Sequence, residues 1–145
     1  MALINKEKKM GIKVKVEKSA DGIYWGTTQN IPGVVTADGK DLNELKENLQ
    51  EALELYLETA QDIDNKEILK LLSEGIDFEY QLELSELFKK LKVINKSAFA
   101  NRIGISPSLL RQYSVKKDIY ISEERAKKIE RELHMLGQEL QSIKL

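Results

Sequence analysis

The chain has no cysteine among its 145 residues. Disulfides and thiolate metal sites are therefore excluded, and nothing points to an oxidising compartment. Two prolines and no low-complexity run argue against extended disorder. A single histidine, His134, leaves Ser-His-Asp arrangements and His-based metal clusters unsupported, and it reads as a surface residue. Gly33 and Gly39 form no phosphate loop. Two-metal ribonuclease chemistry needs converging carboxylates. The first strand instead turns Lys13, Lys15 and Glu17 outward, and Glu79 and Glu83 lack evident partners. These absences predict a protein that is not an enzyme and that uses no cofactor or metal. No apolar run approaches the ~18 residues a membrane span needs. The opening MALINKEKKMGIKVKVEK carries charges without the apolar stretch of a secretory signal. The expectation is a soluble cytoplasmic protein with no membrane partner.

Arginine is also missing from the first 84 residues, and this divides the charge. Residues 1–84 hold ten Lys against seventeen Asp and Glu, a balance of −7. Residues 85–145 hold nine Lys and four Arg against seven acids, a balance of +6. Such asymmetry suits two tasks, a basic part for phosphates and an acidic part for another partner.

Residues 12–17, IKVKVE, alternate apolar and charged, the period of a half-buried strand. Asp21-Gly22 makes a hairpin turn into a second strand, Ile23 to Thr28. After the bend at Asn30-Ile31-Pro32-Gly33, Val34-Val35-Thr36 reads as a third strand closed by Asp38-Gly39. The period then changes. Leu42, Leu45, Leu49, Ala52, Leu53, Tyr56, Leu57 and Ala60 form one helical stripe over 41–60, with Asp41 and Glu44 as a capping-box-like start. Residues 62–75 read as a polar linker with a short helix (Ile68, Leu69, Leu71, Leu72) ended by Gly75. Ile76, Phe78, Tyr80, Leu82 and Leu84 alternate with polar residues as a fourth strand. Helices are expected at 85–92, 96–103, 106–114 and 122–143. The fold class is α+β: a β-β-β-α-β domain over 1–84, then an all-α domain over 85–145.

The segment KSAFANRIGISPSLLRQYSV, residues 96–115, meets the demands of a helix-turn-helix. Ala100 supplies the small residue where two helices cross. Gly104, four residues on, supplies the turn, where φ is positive. Phe99, Ile103, Ile105, Leu110 and Tyr113 fill the inner positions. Ser106 caps the second helix and Pro107 occupies its first turn. The match resembles the Cro/λ-repressor type of DNA-binding domain over about residues 85–136. That resemblance makes 106–114 a recognition helix in the major groove. Ser106 sits at its start, and Ser108, Arg111 and Gln112 face outward. Gln suits adenine and Arg suits guanine. Lys96, Arg102, Lys116 and Lys117 are placed for phosphates.

Residues 20–58 carry Asp21-Gly22, Tyr24, Ile31-Pro32-Gly33, Val34-Val35, Gly39 and an acidic amphipathic helix containing Glu51-Ala52. This order resembles the HicB antitoxin family. It departs at Gln29, where proline is common, and at Leu45, where alanine is common. The resemblance implies a partial ribonuclease-H-like fold, binding and masking of a small basic ribonuclease toxin of the HicA type, and repression of the antitoxin's own operon. Glu44, Glu47, Glu51, Glu54 and Glu58 are candidate toxin contacts, against the alternative of a solvated helix face. A different function also fits: a transcriptional regulator whose N-terminal domain senses a small molecule.

Ala126, Ile129, Leu133, Leu136, Leu140 and Ile143 step by three and four along the last helix. The first half of this seam is expected to complete the domain core. The second half is expected to hold a homodimer or higher homo-oligomer on a double-stranded DNA operator.

Overall fold

The computed structural model of the chain describes residues 10–61 and 76–145. The short helix expected within 62–75 lies outside the described residues. The chain divides into two compact units between Gln81 and Leu82.

In the first unit, alternation builds the sheet. Ile12, Val14 and Val16 of β1 (Met10–Lys18) are buried, while Lys13, Lys15 and Glu17 are exposed. β1 pairs antiparallel with β2 (Tyr24–Thr28), in a register of Val14 to Thr28 and Val16 to Gly26. β2 pairs in turn with β3 (Thr36–Gly39). The third strand therefore starts later than the expected Val34-Val35-Thr36. The cause is Thr28, whose Oγ1 accepts the Val35 amide at 2.9 Å while its own amide donates to the Val35 carbonyl at 3.0 Å. Val34 is left 69% exposed, so the two valines do not behave as a strand pair. Asp38-Gly39 is the end of the strand itself, not a turn closing it.

The helix α1 (Leu42–Gln61) begins where Asp41 Oδ1 accepts the Glu44 amide at 2.8 Å, satisfying one orphan donor. Its stripe of Leu42, Leu45, Leu49, Leu53 and Leu57 is buried. Burying one such side chain contributes about 1.5–3 kcal/mol, so the packing of this stripe on β2 and β3 stabilises the unit. Tyr56 is half-buried, and its hydroxyl donates to the Pro32 carbonyl, tying the helix to the bend. In β4 (Ile76–Glu83) Tyr80 and Leu82 are buried, and the Phe78 and Tyr80 rings stack at 5.8 Å. Within the first unit the strands are hydrogen-bonded in the order β3-β2-β1-β4, and the short β5 (Ile121–Ser122) belongs to the second unit.

The second unit contains α2 (Ser85–Lys90), α3 (Lys96–Ile103), α4 (Pro107–Val115), β5 and α5 (Glu123–Gln141). Glu83 is buried, yet it is not without a partner: its Oε1 accepts the Ser85 amide at 2.7 Å. Phe88, Phe99, Ala100, Ile103, Leu110, Tyr113, Ile121 and Ile129 form the core. The last helix is shorter than the expected 122–143. It is also apolar over more of its length than it buries. Ile129 is buried, Leu133 and Leu136 are half-buried, and Leu140 and Ile143 are exposed. His134 is exposed.

Candidate nucleic-acid interface

The pair α3–α4 is built by its caps. Asn95 precedes α3 and its Oδ1 accepts the Ala98 amide at 3.0 Å. α3 ends at Gly104, which adopts φ 76° and ψ 29°, a left-handed conformation that a side chain disfavours. This αL ending lets the Ile105 amide reach back to the Ala100 carbonyl at 3.0 Å. Ser106 then takes an extended conformation, and its hydroxyl accepts the Leu109 amide at 3.1 Å. Pro107 occupies the first turn of α4, where no amide is needed.

With both ends fixed, the helices face each other through their small and apolar residues. Ala100 and Leu110 are fully buried, with Phe99, Ile103 and Tyr113 beside them. The opposite face of α4 presents Ser108, Arg111 and Gln112, all exposed, with Ser106 exposed just ahead of them. Lys116 and Lys117 follow the helix and are exposed, and Lys96 is half-buried at the start of α3. A polar, positively charged surface thus runs along α4 and past its end.

Arg102 is engaged by two carboxylates of α5. Its Nε donates to Glu132 at 3.0 Å, and its two terminal nitrogens grip Glu139 at 2.8 and 2.7 Å. The bidentate bond to Glu139, then that to Glu132, holds the guanidinium more firmly protonated than usual, and Arg102 holds the Glu139 carboxyl below the ordinary glutamate range. This charge is already matched within the unit, joining α3 to α5. Arg125, which sequence reasoning passed over, makes a second tie: its Nη1 donates to the Tyr113 hydroxyl at 2.8 Å and links α5 to α4. The signal for these ties lies in distant positions of one helix, whose partners are identifiable only once α5 is placed.

In the first unit, Glu47, Glu51, Glu54 and Glu58 are exposed along α1, and Glu44 is half-buried beside its cap. They share the side of α1 away from the leucine stripe. Among the described residues, no group of three or more His, Asp or Glu side chains is arranged to hold a metal ion. No described helix is long and apolar enough to cross a membrane.

Against known proteins, the chain is 37% identical over 60 residues to a UPF0150 protein of Archaeoglobus fulgidus, a stretch that covers 41% of this chain and 86% of that one. No family model matches the chain. No solved structure matches it.

Proposed function

The chain belongs to the UPF0150 family, and from that premise we propose that it is an antitoxin with two tasks: it masks a small basic ribonuclease of the HicA type, and it represses its own operon as a helix-turn-helix protein. The matched relative is almost used up by 60 residues, too few to include both units. The DNA half of the reading therefore stands on geometry, and the partner half on the resemblance of residues 20–58 to HicB antitoxins.

The observation that carries the reading is the α3–Gly104–α4 pair. Its inner residues are buried against each other, while Ser108, Arg111 and Gln112 project from the first two turns of α4. A helix offered this way enters the major groove by its N-terminal residues. Arg111 and Gln112 read bases, Ser106 and Ser108 sit at the groove floor, and Lys96, Lys116 and Lys117 hold phosphates. Arg102 serves as a brace between helices in this reading. The exposed acids of α1 meet the basic ribonuclease. Two recognition helices must lie about 34–36 Å apart to read half-sites one turn apart. A homodimer or higher homo-oligomer through the exposed Leu140 and Ile143 provides this spacing.

Binding of the full chain to a labelled duplex from its own upstream region, against a scrambled duplex, tests the reading. Gln112→Ala should lose about 1–3 kcal/mol of preference for the specific duplex, whereas Lys116→Ala should weaken both duplexes alike. Equal binding of the two duplexes by the unaltered chain would end the repressor reading. Failure to form a complex with a small basic protein encoded beside its gene would end the antitoxin reading.

A further inference from the structure

Arg125, Lys128 and Arg131 recur at three-residue steps along α5, so they share one side of the helix. With Gly104, Ser122 and Glu124 they line a cleft of about 330 Å³ in the second unit. Three cations against one carboxylate give the cleft a positive balance. The neighbouring charges of α5 are matched elsewhere: Lys127 pairs with Glu130 at 3.5 Å, and Glu132 and Glu139 hold Arg102. Lys128 and Arg131 make no ion pair or hydrogen bond among the described residues, and both are exposed. Glu123 and Glu124 offset the positive end of α5, so the site depends on side chains and not on the helix end.

Gly104 gives the cleft a bare floor. The Lys128 ammonium lies 3.7 Å from the point where a Cβ on Gly104 would stand. Two residues further on, Ser106 begins the turn into α4, the helix read above as entering the groove. A DNA groove is flanked on both sides by phosphates, and guanidinium and ammonium groups match their oxygens. We propose that this cleft seats a backbone phosphate of duplex DNA, with Lys128 and Arg131 as its ligands. The inference rests on the DNA-binding reading, and it adds to it two contacts that lie on no part of α3, α4 or the segment between them.

The test is a polarisation titration of the full-length protein with a fluorescein-labelled 30-base-pair duplex of arbitrary sequence, at 50 to 200 mM KCl. Each phosphate contact contributes about 0.9 to the slope of log affinity against log salt. Lys128→Ala and Arg131→Ala should each flatten the slope by about that amount. The loss of affinity between the two salt concentrations then shrinks about 3.5-fold for each residue. Lys127→Ala, on the same helix but ion-paired, should leave the slope unchanged. Phosphorus NMR of inorganic phosphate titrated with the protein separates the two sources of the ligand. If the slopes of both variants equal that of the unaltered protein, the proposal is overturned. That holds equally if free phosphate alone is bound and its signal change vanishes in Lys128→Ala. If the unaltered protein binds no duplex at any salt, the DNA-binding reading itself fails, a result distinct from unaltered and variant chains binding alike.

Discussion

Gly39 ends β3 directly beneath the start of α1, and replacing it with alanine tests how α1 is seated on the sheet. A Cβ on Gly39 would stand 2.4 Å from the Leu45 amide nitrogen, 2.8 Å from the Leu45 Cα and 2.9 Å from the Glu44 carbonyl carbon. All three are backbone atoms of the first turns of α1, so no side-chain rotation relieves the clash. Either the helix lifts or β3 bends away. Lifting the helix withdraws Leu45 and Leu49, both fully buried, from the core, and Leu45 from its place over Gly26. Gly39 is not among the residues of positive φ, so the penalty is steric and not conformational. Overpacking of this kind costs about 1–3 kcal/mol. For a unit of this size that lowers Tm by roughly 4–24 °C. Urea unfolding of the full chain, followed by circular dichroism, should show the midpoint falling with the slope unchanged. Gly11→Ala is the matched control, because a Cβ there meets nothing within 4 Å. If Gly39→Ala unfolds within about 0.5 kcal/mol of the unaltered chain, the seating of α1 on β3 described above is wrong.

Ser106→Ala removes the acceptor for the Leu109 amide and should cost about 1 kcal/mol in urea unfolding, with Ser106→Asp largely retaining stability. Ser85 is fully buried, and its hydroxyl has no partner among the described residues. Ser85→Ala should therefore be neutral or up to about 1 kcal/mol more stable, and a clear loss in the same assay would reveal a bond to that hydroxyl. Arg102 depresses the Glu139 carboxyl, so its stabilising effect is complete above the ordinary glutamate range and disappears as pH falls through the lowered value. Thermal unfolding between pH 6 and 2.5 should accordingly show a steeper acid decline in the unaltered chain than in Glu139→Gln, and equal declines would contradict the bidentate bond.

Regular elements were legible wherever one period ran long enough to show. The alternation at 12–17 and at 76–83 appears as β1 and β4, and the leucine spacing over 41–60 appears as α1. Reading failed where a tertiary bond overrode local preference. Val34-Val35 has the composition of a strand, yet the Thr28 hydroxyl occupies the Val35 amide and pairing starts at Thr36. β5 has two residues, too few for any period to show.

The α3–α4 pair was readable because its constraints are local. A left-handed glycine, a serine cap and a proline in the first turn act within a few residues, and all three take the roles that their spacing implied. Charge could not be read the same way. Arg102 has the position of a phosphate ligand in the chain, but whether its charge is available depends on residues 30 and 37 places further on. α5 brings Glu132 and Glu139 to it, while Lys128 and Arg131 of the same helix have no ion pair among the described residues and line a cleft with Gly104. The apolar seam of the last helix did not single out Lys128 and Arg131, the pair that lines this cleft, while Arg102 is engaged by two carboxylates. Counting basic residues locates the basic unit; deciding which of them can accept a phosphate requires knowing which carboxylates the fold delivers to each.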